Sequence, residues 1–490
     1  MPDGRLDEPR EWIGRWWRPD QPEKVTSGVL TFDPAHGIRL RLIGGWQTRA
    51  TTEWAEGLIA QHQEIERWPI VHGLSGHTRL TLIEPWAESS FGNYGEDPHD
   101  QTLRALTVLE GCHLDSADSP VFVGAGVTVE NLTGWANRGE SELNLRRPKS
   151  SADNVGETFR TATALVGDIE ATLHSLSGFR SMSVRRDGRS ETRRTEASVA
   201  FSSVEPRDME LWFSMIGGIS DLVSISTMSA CADLAIHLVL PPAPDDLPSG
   251  GWRAEEPRIV RVYQEHIVKP DAKGKAAQFN DFVLTEADLP WAQLLPAWMS
   301  VRDRFAPARS LILGLRYITE GYLGSRVVTA VAAAEAFHRG LDLPAPIPKD
   351  EFDALRKALL AAVPKDQRGW VNDRVQWNEP SLKQRLIELT ERPGKFMKDL
   401  VPDPDKWARV AGRARNDLAH RGDAGEGYEE LHAVVEVTAA VVVMNLLNEV
   451  GVPEPRLARA LEEHAEFRHA AELARRYFSL SATSSSATHQ

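Results

Sequence analysis

Along the first 290 positions, apolar and polar residues tend to alternate. After position 291 the apolar residues recur at the helical period. In the first part, GVLTF (28–32) and GIRLRLIGGW (37–46) alternate on either side of a turn-rich DPAHG. RLTLI (79–83), FVGAGVTVENL (122–132) and PRIVRVYQEHIV (257–268) repeat the pattern and predict further strands. Asp187-Gly188, inside SVRRDGRSETRR, predicts a two-residue hairpin, because such a turn needs positive φ at both central residues. The arginines around it suit a solvated hairpin or a phosphate contact. The stretch LWFSMIGGISDLVSISTMSACADLAIHLVL (211–240) fits a helix and a strand equally well.

From 291 onward the pattern predicts helices over 289–305, 308–324, 325–341, 348–364, 381–392, 405–422, 428–452 and 453–478. Gly340 and Gly422 close two of them, and prolines bound the fourth. The middle of 428–452 is apolar on nearly every side, so it should lie buried. No internal repeat is seen. The fold class is therefore α+β multidomain: a β-rich domain over 1–290, an all-α bundle over 291–478, and a Ser/Thr/Ala-rich disordered tail over 479–490.

The chain has 490 residues and a net charge of −14. The charge is unevenly placed. Residues 301–490 hold 27 basic and 27 acidic residues, so the first 300 carry the whole imbalance. Such a chain is no general nucleic-acid binder, and any nucleic acid must be met at a local basic site in the C-terminal half. Two cysteines are too few for a disulfide framework or a cysteine zinc site. With no secretory signal, and with the most apolar run confined to 437–447, a cytoplasmic protein away from membranes is expected. The sequon at Asn131 then has no glycan to carry. Twelve of the 15 tryptophans precede residue 300, which suits a β core or an aromatic ligand site.

Several chemistries lack their basic parts. No phosphate loop, dinucleotide fingerprint, HExxH or nucleophile elbow is present. His62, His72, His77, His99 and His113 cluster in sequence, but their spacing matches no metal motif. No cofactor and no metal are expected.

Among the places where the pattern Arg-x4-His occurs are Arg67–His72, Arg415–His420 and Arg459–His464. The first holds a proline in strand-like sequence, and the third lies on a charged helix face. The second stands apart, in RARNDLAHRGD (413–423), because Asn416 follows the arginine directly and a glycine ends the helix. Asn416 and His420 fall one turn apart on one face, whereas Arg415 lies about 140° from His420 around the axis. The two could meet if the helix end distorts, or if a second subunit's helix crosses the first. Arg413, Asp417 and Arg421 are spaced as an ion-pair ladder. A capping or core histidine is the plain alternative for His420.

RNDLAH resembles the Arg-x4-6-His signature of HEPN domains, with the asparagine that often follows the arginine. AAAEAFHRG (332–340) is similar to an earlier helix of that bundle. The segments 14–46, 70–86 and 127–135 resemble the N-terminal domain of ApeA-type anti-phage proteins, which pair it with a C-terminal HEPN domain. This resemblance implies a HEPN helical bundle, a homodimer through it, and metal-independent RNA cleavage in abortive infection. It implies catalytic roles for Arg415, Asn416 and His420, with Arg413, Asp417 and Arg421 at the substrate. The RNA would be tRNA or another structured RNA. The N-terminal domain would answer a phage-derived trigger and restrain the nuclease. Two other readings stay open: a catalytically inactive HEPN module, and an aromatic ligand-binding β protein in which Trp16 and Trp17 matter.

Overall fold

The computed structural model describes residues 4–46, 50–55, 58–62, 67–91, 98–137, 158–185, 188–242, 257–270, 274–318, 321–422, 425 and 427–479. The chain separates into two compact units, Met1–Phe279 with Thr285–Pro296, and Asn280–Leu284 with Ala297–Gln490.

In the first unit, fourteen of the described strands form one sheet, and every strand pair in it is antiparallel. The predicted strands appear as Gln21–Asp33, Gly37–Ile43, Thr78–Ile83, Phe122–Val129 and Arg258–Gln264. Strand Gly37–Ile43 shows why: Ile38, Leu40 and Leu42 are buried while Arg39, Arg41 and Ile43 point outward. The longest hairpin joins Ile169–Arg185 to Gly188–Arg207, with Arg185 opposite Gly188. The turn between them, including Asp187, lies outside the described residues.

The stretch predicted to run as a strand to 132 stops at Val129. Asn131 enters the left-handed region at φ 62° and begins the short helix α1 (Leu132–Ala136). Its side chain is used internally, donating to Cys231 Sγ at 3.4 Å and accepting from the Ala277 amide at 2.9 Å. The undecided stretch 211–240 holds both forms. Helix α2 (Met209–Thr227) is capped by Asp208, which accepts from the Leu211 amide, and strand Asp233–Leu240 follows. Met228 ends the helix in the left-handed region at φ 55°, which lets the chain reverse into the strand.

Tryptophan is core here. Trp16 is fully buried, and its ring covers Gly73 so closely that a Cβ there would overlap it. Trp12 Nε1 donates to the buried Glu110 at 3.1 Å, and the Tyr263 hydroxyl donates to its other oxygen at 3.2 Å. The reading that makes Trp16 a ligand contact is therefore overturned. Trp17 packs edge-on against His72 and His113, whose rings stack at 4.5 Å.

The second unit is helical. Its elements are α3 (Trp291–Arg304, which begins in the first unit), α4 (Ala306–Tyr317), α5 (Leu323–Gly340), α6 (Lys349–Ala362), α7 (Arg368–Arg374), α8 (Leu382–Glu391), α9 (Met397–Leu400), α10 (Pro404–Arg421), α11 (Tyr428–Val450), α12 (Glu454–Glu463) and α13 (Ala465–Phe478). Helix α11 is long and apolar enough to cross a membrane by length and composition, but 83% of that stretch is buried inside the protein. Within it, Asn445 is fully buried and donates to the carbonyls of Val441 and Leu389, each at 2.8 Å, which ties α8 to the central helix. The single helix predicted over 453–478 breaks at His464. That residue ends α12 and caps α13, accepting from the Glu466 amide, and its backbone is extended.

Candidate active site

Helix α10 forms where the sequence predicts it because both ends are specified. Asp403 accepts from the Lys406 amide at 2.9 Å, Pro404 occupies the first turn, and Gly422 closes the end at φ 75° with its amide bonded to the Leu418 carbonyl. One stripe, Trp407, Val410, Ala411 and Ala414, is buried. The opposite stripe is polar. Arg409, Arg413, Asn416 and His420 are all exposed, and their spacing keeps them within about 60° of one another around the axis. The stripe thus runs three turns, from a cation to the histidine.

Arg409 is the member of the stripe that lies outside the RNDLAH motif. Its signal was available: positions 409, 413, 416 and 420 follow the i, i+4, i+7, i+11 rule. It shares the Asp405 carboxylate with Lys383, and those two cations hold Asp405 below the usual carboxylate range, Lys383 foremost.

Arg415 leaves the stripe. The helix is regular through Arg421, so distortion does not bring Arg415 to His420 within one chain. The guanidinium instead turns toward α5. Its Nη1 donates to the Asn416 side-chain oxygen at 3.1 Å, and its Nη2 stands 3.7 Å from Glu335. Glu335 also takes Arg339 at 3.1 Å, and Arg339 lies 3.8 Å from Glu379, which pairs with the buried Arg385. A chain of alternating charges therefore runs from Arg415 through the bundle. The resemblance implies a catalytic role for Asn416. In the structure its oxygen serves Arg415.

His420 is exposed, and no hydrogen-bond partner for it is found among the described residues. The other Arg-x4-His histidines differ. His266, which follows Arg261 at that spacing, is half-buried and lies 3.7 Å from the buried Asp233. His72 is buried and bonds the Leu114 carbonyl at 2.9 Å. His464 is buried too and bonds the Asp281 carbonyl at 3.2 Å, so the expected charged helix face is corrected to a buried helix junction. Burial pushes His464 below the ordinary imidazole range. A histidine that is to exchange protons with a substrate needs access, and of the four His420 is the exposed one. Arg413 is exposed, Asp417 is half-buried one turn on, and the side chain of Arg421 lies outside the described residues. Among the described residues no three His, Cys, Asp or Glu side chains gather as a metal site would require.

Residues 11–295 match the family model described as ApeA N-terminal domain 1, and residues 328–456 match the one described as Apea-like HEPN. The second match takes in Glu335, Arg415, Asn416 and His420. No curated protein and no solved structure matches the chain.

Proposed function

This chain belongs to the ApeA N-terminal domain 1 family and carries an Apea-like HEPN domain behind it, and on that premise we propose that it is a metal-independent endoribonuclease acting as an anti-phage effector. The observation that carries the reading is the exposed stripe of α10, which ends in His420 with Arg413 and Asn416 beside it and Arg415 one position from Asn416.

The chemistry needs three things: a base for the RNA 2′-hydroxyl, an acid for the departing 5′-oxygen, and positive charge at the phosphorus. One chain offers one exposed histidine of this motif, so the site is completed by a two-fold dimer that sets two His420 and two Arg415 around one cleft. One His420 takes the 2′-hydroxyl proton as that oxygen bonds phosphorus. The bond to the 5′-oxygen breaks, and that oxygen receives a proton from the second His420. The products are a 2′,3′-cyclic phosphate and a 5′-hydroxyl. The planar guanidinium of Arg415 can grip two phosphate oxygens. Arg413 and Arg421 would hold the flanking backbone.

We assign the N-terminal unit a regulatory role. It is a separate sheet, it carries the acidic imbalance of the chain, and it suits a phage-derived protein or ligand better than RNA. The protein would act in the cytoplasm, where its RNA substrate lies. One observation favours a silent HEPN module instead: Arg415 is paired with Glu335 rather than turned toward His420.

The test is made in a bacterial host, with wild type and His420→Ala, before and after phage challenge. New RNA ends bearing 5′-hydroxyl or 2′,3′-cyclic phosphate should follow wild type alone. Protection by wild type with identical RNA profiles in both strains would refute the nuclease and leave the silent module.

A further inference from the structure

Between α5 and α8 the chain makes an excursion with an unusual surface. No residue from 342 to 380 is buried. The excursion is nevertheless ordered by its own contacts. At its base, Asn378 donates to the Ile347 carbonyl at 2.6 Å and accepts from the Ile347 amide at 3.3 Å. Near its middle, Arg356 on α6 donates to the Asn372 side chain on α7 at 2.6 Å. Residues 348–377 therefore form an arm closed at its root.

The arm carries two features that suit a ligand. The first is exposed tryptophan: Trp370 is 66% exposed and Trp377 is 70% exposed, whereas the other described tryptophans are buried or half-buried. The Arg374 guanidinium covers one side of Trp370 at 5.3 Å from the ring centre. The second is positive charge gathered on the inner part of the arm, which over its full length holds six basic and five acidic residues. Residues 356–374 hold five basic and two acidic residues in a chain of net charge −14. Arg356, Lys357 and Arg368 line one shallow cleft of about 370 Å³ between α6 and α7, with Asp353 as its one acidic side chain. The Arg356 Nε in that region is buried and has no hydrogen-bond partner among the described residues.

We infer that the arm 348–377 is a platform for single-stranded RNA, with Arg356, Lys357 and Arg368 taking backbone phosphates and Trp370 and Trp377 stacking on bases. An exposed tryptophan beside clustered cations is the arrangement that grips a strand regardless of sequence, because every base offers a flat face and every nucleotide a phosphate. Charge decides against a protein partner as occupant, since an apolar docking face gains nothing from three cations around a cleft. The choice of RNA as ligand rests on the ribonuclease reading. The arm would hold the strand whose scissile phosphate lies at His420.

The test uses the full chain carrying His420→Ala, so that the probe survives, and a fluorescent oligouridine of about twelve nucleotides. Lys357→Ala and Trp377→Ala are added singly, because neither side chain supports the arm. Each should weaken binding by about tenfold, and Lys357→Ala should also flatten the log–log salt dependence by about 0.7. Trp377→Phe, which keeps the stack, should bind within about threefold of its parent. Binding within twofold of the parent for both alanine variants would overturn the platform. So would a loss of self-association with RNA affinity unchanged, which would make the arm a protein interface. The two readings fail separately. RNA bound through the arm but never cut by the chain with His420 intact refutes the nuclease alone. RNA cut equally by wild type and by Lys357→Ala and Trp377→Ala in that same chain refutes the platform alone.

Discussion

The Arg415 guanidinium is held between two partners, 3.1 Å from the Asn416 side-chain oxygen and 3.7 Å from the Glu335 carboxylate on the neighbouring helix. Both charged side chains remain partly exposed, so the pair contributes about 0.5 kcal/mol to stability at most. Its consequence lies in where the arginine points. Glu335→Gln removes the charge and keeps the shape. We expect single-turnover RNA cleavage to slow about tenfold while RNA affinity is unchanged or tighter, because a cation is released but no longer aimed. A cleavage rate equal to wild type would show that Glu335 plays no part in positioning.

His420 and His464 share a motif and should separate on substitution. His420→Ala should abolish cleavage and leave the unfolding midpoint in place, since the side chain is exposed. His464→Ala should lower the stability of the helical unit by about 2 kcal/mol, because it strips a buried bond to the Asp281 carbonyl and the cap of α13. The pH dependence follows from the same burial. The folded protein holds His464 neutral below the ordinary imidazole range, so unfolding takes up a proton there. Its contribution is complete above about pH 6.5 and falls as the pH drops below that. Urea titrations at two pH values, on wild type and His464→Ala, should show a steeper slope in wild type than in the variant.

That contrast also shows what could be read from residues and what could not. Strand alternation such as Ile38, Leu40 and Leu42 is a local pattern, and it placed the strands. The caps of α10, Asp403 and Gly422, are equally local. The stretch 211–240 was ambiguous because its helix is apolar on much of its circumference, so neither period stood out. Helix α7 is one short polar element of seven residues and carries no periodic signal. The split at His464 depends on Asp281, nearly two hundred residues away, and no window along the chain contains both. The site was half legible: spacing aligned Asn416 with His420, but the partner that turns Arg415 aside is on another helix.

Gly73 sits under the Trp16 ring in adjacent antiparallel strands. A single added methyl must push that ring out of a fully packed core, and the ring has nowhere to rotate. Gly73→Ala should destabilise the N-terminal unit by about 3 kcal/mol, at the upper end of overpacking effects. Tryptophan fluorescence during urea unfolding measures this directly. A shift in the midpoint no larger than that of a surface alanine would contradict the packing described.

The two thiols should be silent in the folded protein. Cys112 and Cys231 are buried, and burial pushes the Cys112 thiol up to about 12. At pH 8 almost no thiolate then exists to attack a disulfide reagent. Native protein should release no chromophore from such a reagent within minutes, and denatured protein should release two equivalents. Reaction of native protein at the rate of a free thiol would place at least one cysteine at the surface.

The dimer can be tested through the histidine it would share. If each cleft needs both copies of His420, a dimer with one His420→Ala subunit has a base but no acid, and it is dead. Activity in a mixture then follows the chance that both subunits are wild type. After equilibration of equal amounts, specific activity per wild-type chain should fall to about one half of its unmixed value, and total activity to about one quarter of an all-wild-type sample at the same chain concentration. If each chain instead carries a complete site, dilution with the variant leaves activity per wild-type chain unchanged. The measurement therefore separates a shared cleft from two independent ones. It also reads on Arg415: the regular helix keeps that side chain away from its own His420, so a site complete within one chain would have to do without it.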